Sequence, residues 1–175
     1  TVGAKIVIEA DVENDQSLET VFSTLEREWG SLDFVVHAIA FSDKTQLDGR
    51  YVDTTAENFN MTLAISCYSL TALAKRAEPL MKSGGSLLTL TYYGAEKVVD
   101  RYNLMGPVKA ALEASARYLA AELGPKGIRV HPISPGPIRT RAASGIDRFD
   151  ELIENAAARA PAHMLVTLED VGMTT

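Results

Sequence analysis

Two tyrosines and one lysine stand at a spacing that could support proton donation. Tyr92 follows an apolar run, and Tyr102 precedes Lys109 by seven residues. An ammonium beside a phenol lowers the pKa of that phenol, and a tyrosine so placed can donate a proton or a hydrogen bond to a developing oxyanion. Seven residues of continuous helix would separate the two backbones by about 10 Å, so we expect Tyr102 to precede the helix and fold back over Lys109. The alternative, a surface tyrosine with a solvated lysine, is the commoner outcome for an arbitrary pair.

Three further segments could contact a nucleotide, and each has a plain alternative. Asp11-Val12 could hydrogen-bond an adenine edge, or could simply close a strand. The small residues of His37-Ala38-Ile39-Ala40-Phe41 would let a flat ring lie against the backbone, or could form a buried strand end. The rigid turn Pro135-Gly136-Pro137-Ile138-Arg139-Thr140 could cap a carboxamide, or could only connect a strand to a helix.

Alternating strand and helix patterns predict how these segments are positioned. Strands are predicted at 5–12, 32–40, 86–92 and 128–134, and the apolar second of these is expected to be covered on both faces. Pro132 fits poorly in the last strand. Helices are predicted from a cap at Asn14 or Asp15 to Gly30, from a Thr54/Glu57 capping box to Met81, over 105–123, from about Arg148 to Arg159, and after a cap at 167–170.

This alternation predicts an α/β fold in which a parallel sheet is flanked by helices. Right-handed crossovers bring the carboxyl ends of all strands to one rim, where such sheets bind ligands. The rim is expected to collect Asp11 and the segments 38–41, 91–94 and 135–140.

Composition excludes several classes of function. The net charge of −6 and the lack of a basic cluster argue against nucleic-acid binding. No apolar run is long enough to span a membrane. His37, His131 and His163 lack metal-ligand spacing and Cys67 is the only cysteine, so no metal site or internal disulfide is expected. A bacterial or organellar cytosol is the expected location.

Taken together, the motifs resemble those of bacterial enoyl-acyl-carrier-protein reductases, NADH-dependent members of the short-chain dehydrogenase/reductase superfamily. The resemblance runs from about Val7 to Gly172 and includes the runs SLLTLTYYGAEK at 86–97 and YNLMGPVKAALEA at 102–114. Shorter matches lie at 36–41, 46–51 and 136–145. Ordinary short-chain dehydrogenases place a tyrosine four residues before the lysine, where this chain has Met105.

The resemblance implies a role for each matching residue. Tyr102 would support the enolate formed when hydride reaches the β-carbon of a trans-2-enoyl thioester, and Tyr92 would line the substrate pocket as a second active-site tyrosine. Ser42 would contact substrate, and Lys109 would hold the nicotinamide ribose. Other cofactor positions would be Asp11, Val12, Ala38, Ile39, Ala40, Pro137, Ile138, Arg139, Thr140, Arg141 and Ala142. The implied fold is a doubly wound parallel sheet, Rossmann-like and three-layered. The implied cofactor is NADH, with NADPH open, the partner is an acyl carrier protein, and the assembly is a homotetramer.

The chain also departs from the family pattern. The glycine-rich turn that opens the family's fold and its last strand are not in this sequence, so residues 1–175 are interpreted as one Rossmann-like domain incomplete at both ends. Pro107, Pro132 and Pro135 replace small or aliphatic residues, Ala40 replaces a glycine, and Asp100-Arg101 precede Tyr102. Two other functions stay open: a carbonyl reductase on the same fold, which Met105 disfavours, and a non-catalytic binding or assembly subunit.

Overall fold

The computed structural model describes residues 3–140 and 149–175. These residues form three strands, β1 (Phe34–His37), β2 (Gly85–Leu90) and β3 (Ile128–Ile133). Their helices are α1 (Asp15–Trp29), α2 (Lys44–Leu47), α3 (Ala56–Leu63), α4 (Ser69–Ala77), α5 (Met105–Leu123), α6 (Phe149–Arg159) and α7 (Leu168–Thr174). A π-helical segment, Ala64–Tyr68, joins α3 to α4, and 3-10 turns lie at Tyr51–Asp53, Glu78–Leu80, Tyr93–Ala95 and Gly124–Lys126.

The strands form a parallel sheet in the order β1-β2-β3. Val36 stands opposite Leu88, and Thr89 stands opposite Pro132. The chain crosses from β1 to β2 through α3 and α4, and from β2 to β3 through α5. The predicted α/β class with a parallel sheet is therefore confirmed, and the carboxyl ends of all three strands lie on one rim.

One layer of helices carries the core. Leu70 of α4 and Leu112 of α5 are fully buried against Leu87 and Ile128 of the sheet. Burying each such side chain stabilises the fold by about 1.5–3 kcal/mol. On the opposite face, Phe34 is 63% exposed and Val36 is 41% exposed. The prediction that this strand is covered on both faces is thus wrong for the described residues, which build one helical layer against the sheet.

Helix α1 follows the pattern expected from its sequence. Asn14 caps it by accepting hydrogen bonds from the backbone N–H groups of Gln16 and Ser17. Gly30 ends it with φ of 72°, a left-handed conformation that glycine adopts without steric cost.

The strand predicted at 5–12 is not formed. Residues 4–11 have no strand pairing, and Val7 in this segment is 86% exposed. A strand requires a hydrogen-bonded neighbour, and in the described residues β1 pairs only with β2. An alternating pattern alone cannot supply that neighbour.

The single helix predicted from Thr54 to Met81 is divided, and its cap lies one residue later. Thr55, and not Thr54, accepts the hydrogen bond from Asn58 N–H. The π-helical segment interrupts the helix where Ser66 meets Phe41: the Ser66 hydroxyl accepts from the Phe41 N–H at 2.9 Å and donates to the Phe41 carbonyl at 3.0 Å. The π-helical turn, which is wider than an α-helical turn, therefore lies where this helix contacts the loop after β1.

The remaining elements lie close to their predicted positions. β2 ends at Leu90, two residues earlier than predicted, so Tyr92 lies beyond the strand. Pro132 is accommodated because β3 is an edge strand of the described sheet, where a missing N–H is tolerated. Pro107 falls in the first turn of α5. The cap predicted at 167–170 is confirmed as a capping box between Thr167 and Asp170, whereas Arg148 lies outside the described residues.

Candidate active site

A cavity of about 470 Å³ opens at the carboxyl ends of the strands. This volume lies within the range of small-molecule and cofactor sites. Most of the predicted site residues line it together: Ala38, Ile39, Ala40, Ser42, Tyr92, Tyr102, Lys109, Pro137, Ile138 and Thr140. The rim predicted from strand alternation is therefore a concave site.

Three predicted cofactor residues do not line this cavity. The Asp11 carboxylate accepts a hydrogen bond from Glu13 N–H, and Asp11 N–H donates to Ser17 Oγ, so the segment with Asp11 and Val12 forms a turn before α1. Arg139 is exposed and forms an ion pair with Asp150 of α6. The predicted positions Arg141 and Ala142 lie outside the described residues.

Tyr102 lies in the turn that leads into α5, where its carbonyl accepts from Met105 N–H. The expectation that Tyr102 precedes the helix of Lys109 is confirmed. Its ring packs on Gly94 so closely that a Cβ at Gly94 would lie 2.4 Å from Tyr102 Cδ1. The sequence from Gly94 to Tyr102 therefore folds back on itself and fixes the ring at the cavity wall.

The expectation that Lys109 lowers the pKa of Tyr102 is wrong. Burial raises the pKa of Tyr102 well above its usual value, and the neighbouring Tyr92 raises it further. The Lys109 ammonium instead donates a 2.7 Å hydrogen bond to the Leu90 carbonyl. Desolvation of the phenolate outweighs any attraction to this ammonium, so Tyr102 is a neutral phenol that can donate a hydrogen bond.

Lys109 is a buried cation in the cavity wall. Its side chain sits on α5 with only 5% of the residue exposed. Burial lowers its pKa to about 8, a shift that the nearby Cys67 partly opposes. One of its three N–H groups bonds to Leu90, which leaves donors for a polar group entering the cavity.

His37 is a structural residue directly before the small-residue wall. Its Nε2 lies 2.7 Å from Ser69 Oγ and its Nδ1 lies 2.8 Å from Thr89 Oγ1. The Ser69 hydroxyl donates to the Ile65 carbonyl, so Nε2 of the neutral ring carries the proton and Nδ1 is the acceptor. The Thr89 hydroxyl is shared between this Nδ1 and the His37 carbonyl, which lies 3.3 Å away. Burial, with the charge of Lys109 as a smaller cause, lowers the pKa of His37 to about 4. The ring is therefore neutral and holds the end of β1 against α4 and β2.

Ser42 is 8% exposed and is held by its neighbours. It accepts a hydrogen bond from Thr62 Oγ1 at 3.0 Å and lies 3.5 Å from Asn58 Oδ1. These contacts limit the orientation of the Ser42 hydroxyl, which is the group predicted to contact substrate.

Several lining residues were not predicted from sequence as members of the site: Lys44, Leu47, Leu90, Arg101, Met105, Leu168 and Val171. Leu47 and Met105 belong to motifs noted in the sequence but carry apolar side chains with no chemical signal of their own. Leu168 and Val171 come from α7, and only the capping pattern of that helix was visible. Their presence gives the cavity an apolar side opposite the buried cation.

The site suits an organic cofactor. Small side chains form one wall at the rim of a parallel sheet, and a buried ammonium faces the same space. Among the described residues, no group of His, Cys, Asp and Glu could hold a metal. Within the same residues, no helix is long and apolar enough to cross a membrane.

Relatives with the same pattern are numerous. The curated NADH enoyl-[acyl-carrier-protein] reductase FabI of Rickettsia felis is 53% identical over 98% of this chain and 66% of its own length. The enzyme named Enoyl-[acyl-carrier-protein] reductase [NADH] 1 of Rhizobium meliloti is 56% identical over 98% of this chain and 63% of its own. The chain thus spans slightly less than two thirds of these relatives.

Solved structures agree with this match. The enoyl-(acyl-carrier-protein) reductase of Anaplasma phagocytophilum, solved in complex with NAD, superposes with a TM-score of 0.92 at 52% identity, covering 98% of this chain and 64% of that one. The family described as "Enoyl-(Acyl carrier protein) reductase" matches residues 1–175. The chain therefore belongs to the enoyl-(acyl carrier protein) reductase family.

Proposed function

We propose that the protein of this chain reduces trans-2-enoyl thioesters carried on acyl carrier protein, using NADH, in fatty-acid elongation. The observation that carries the proposal is the convergence of Tyr92, Tyr102 and Lys109 on one cavity at the sheet rim. Family membership supports the same reaction, since the relatives above are named for it.

Tyr102 is the proposed electrophilic residue. When bound, NADH would supply a hydride for the β-carbon of the enoyl thioester. The electrons of the double bond then move to the thioester oxygen, where the neutral phenol of Tyr102 donates a hydrogen bond as negative charge develops. A proton from solvent at the α-carbon would complete the reduction, so that the double bond gains one hydride and one proton. The raised pKa of Tyr102 keeps this donor protonated throughout the neutral range.

The other predicted residues bind and orient. Lys109 has N–H groups available for the ribose hydroxyls of the cofactor, and the wall of Ala38, Ile39 and Ala40 would accept the flat rings. Pro137, Ile138 and Thr140 would border the nicotinamide side, with Arg139, Arg141 and Ala142 in the same loop. Asp11 and Val12 keep the proposed adenine-side role, although they do not line the cavity. Tyr92 and Ser42 would face the acyl thioester.

The proposal extends to partners and location. The natural substrate would arrive on an acyl carrier protein, and the protein would assemble as a homotetramer in the bacterial cytosol. NADPH is the alternative cofactor, to be distinguished by comparing the two nicotinamides at equal concentration.

The test is a comparison of substrates with the full-length protein. We expect loss of NADH absorbance with crotonyl thioester and no comparable loss with simple ketones. Activity on ketones alone would favour a carbonyl reductase, and no dinucleotide binding in calorimetry would favour a non-catalytic subunit.

A further inference from the structure

The turn that carries Tyr102 is tied to a distant loop by the side chain of Asn103. The amide Nδ2 of Asn103 donates to the carbonyls of Gln46, Leu47 and Gly49 at 3.2, 3.3 and 2.9 Å. This segment is the end of α2 with the turn after it, called the loop 46–49 below, and it lies more than fifty residues earlier in the chain, so the contact is tertiary. One side chain thus gathers three carbonyl groups of a segment that contributes to the cavity.

The assignment of the amide is fixed by chemistry. Three carbonyl oxygens require a donor, so the NH2 group must face them and the side-chain oxygen must face away. That oxygen, Asn103 Oδ1, is buried and has no hydrogen-bond partner among the described residues.

The backbone of Asn103 also suits this residue. Its φ is 42°, in the left-handed region that asparagine tolerates better than most residues. Its carbonyl accepts from Gly106 N–H, so Asn103 is built into the start of α5. The side chain therefore leaves a constrained turn in a fixed direction.

The loop held by Asn103 faces the same space as Tyr102. Leu47 and Tyr102 together line this cavity, and both also line a second cavity of about 600 Å³. Leu47 and Tyr102 therefore border the cavity that is proposed to take the acyl group.

We propose that Asn103 is a positioning residue that sets the loop 46–49 against Tyr102 and thereby determines how the acyl thioester is held, without contacting the cofactor. This inference rests on the proposed enoyl reduction. Asn103 acts through the loop and through Tyr102, and it takes no part in the chemistry itself.

Two variants separate the hydrogen bonds from the backbone conformation. Asn103→Gly keeps the left-handed φ and removes the amide. Asn103→Asp keeps the shape but sets a carboxylate against three carbonyl oxygens, so its effect is expected to be larger. Asn60→Asp, at an exposed position of α3 that lines neither cavity, is the control for the added charge.

The measurements are made on the full-length protein with crotonyl thioester. For Asn103→Gly we expect kcat/KM for the thioester to fall about tenfold, the value of one to two buried hydrogen bonds, while the Kd for NADH stays within about twofold. Amide hydrogen exchange of the peptide covering 44–53 should accelerate in both variants and stay unchanged in the control. In a Leu47→Ala background, the loss caused by Asn103→Gly should be smaller than in the parent, because the two residues act through one loop.

Contrary outcomes are equally specific. The proposal would be overturned if Asn103→Gly left kcat/KM unchanged, or weakened the binding of NADH as much as it lowered kcat/KM for the thioester. Unchanged amide hydrogen exchange at 44–53 would overturn it too. Fully multiplicative effects of the Leu47 and Asn103 substitutions would overturn it as well. Failure of the parent protein to reduce the thioester would instead overturn the proposed function. Amide hydrogen exchange at 44–53 would still show whether Asn103 holds the loop, because it does not depend on activity.

Discussion

The rings of Tyr92 and Tyr102 meet edge to face, with their centroids 4.9 Å apart and their planes at 63°. Such pairs stabilise a structure by about 0.5–1.5 kcal/mol beyond the area they bury. The contact connects the residue that follows β2 to the turn before α5. It holds two phenols at one end of the cavity, and it also raises the pKa of Tyr102.

Removing only the Tyr102 hydroxyl tests its proposed role. Tyr102→Phe keeps the ring contacts with Tyr92 and Gly94 but loses the donor to the developing enolate. We expect kcat to fall roughly 100-fold or more, with an unchanged Kd for NADH and an unchanged melting temperature. Tyr92→Phe is the matched control and should lose less activity, because its half-exposed phenol is proposed to line the substrate pocket. Equal activity of Tyr102→Phe and the parent would refute the assignment.

A methyl group at Gly94 should displace Tyr102 without altering its chemistry. The added Cβ would lie 2.4 Å from Tyr102 Cδ1, a distance that real contacts do not reach. Gly94→Ala is therefore expected to lower kcat at least about tenfold while the chain stays folded. In the Tyr102→Phe background, Gly94→Ala should lower kcat little further, because both substitutions act through the Tyr102 hydroxyl. Gly124→Ala, at a φ of −53° where a Cβ would meet nothing within 4 Å, is the control. Normal activity in Gly94→Ala would contradict the tight packing.

The buried ammonium of Lys109 predicts that NADH binding depends on pH. Burial lowers the pKa of Lys109 to about 8, so the cation is present below that pH and is lost as pH rises through it. We expect the Kd for NADH, measured by fluorescence titration, to increase between about pH 7 and pH 9.5. Lys109→Met should bind weakly at every pH and lose this dependence. Lys126→Met, at an exposed lysine paired with Glu78, should keep it. A pH-independent Kd in the parent would contradict the role given to Lys109.

The neutral His37 predicts a loss of stability in acid. Its pKa is about 4 in the folded protein and 6.5 ordinarily, so between these values the unfolded chain binds more protons. The free energy of unfolding should therefore fall as pH falls from 6.5 to about 4, by about 3 kcal/mol from this residue. His37→Gln keeps a donor and an acceptor but cannot titrate, so urea unfolding at several pH values should show a shallower slope. Parallel curves for the two proteins would refute the assignment.

The features that could be predicted from sequence are local ones. The Asn14 and Gly30 caps, the Thr167 capping box and the bounds of α5 depend on a few adjacent residues, and the structure agrees with each. The separation of Tyr102 from Lys109 also indicated a tyrosine outside the helix. Strand alternation was sufficient to place Ala38, Thr91 and Pro137 on one rim.

The features that could not be predicted depend on contacts between distant segments. The strand at 5–12 needs a neighbour that no alternation pattern provides, and the raised pKa of Tyr102 follows from burial that only the packed structure reveals. The capping residue is Thr55 and not Thr54, and its N–H donates to the side-chain oxygen of Gln46, a contact that the local capping pattern does not include. Likewise, Leu168 reaches the cavity from the far end of the sequence.

The most direct measurement of the central claim follows the hydride itself. The full-length protein is incubated with crotonyl thioester and NADH deuterated at its transferable position, and the acyl product is examined by mass spectrometry and NMR. We predict one deuterium at the β-carbon of the saturated product, and loss of this product with Tyr102→Phe. A protein that binds NADH yet yields no saturated thioester, or a product without deuterium at the β-carbon, would contradict the account.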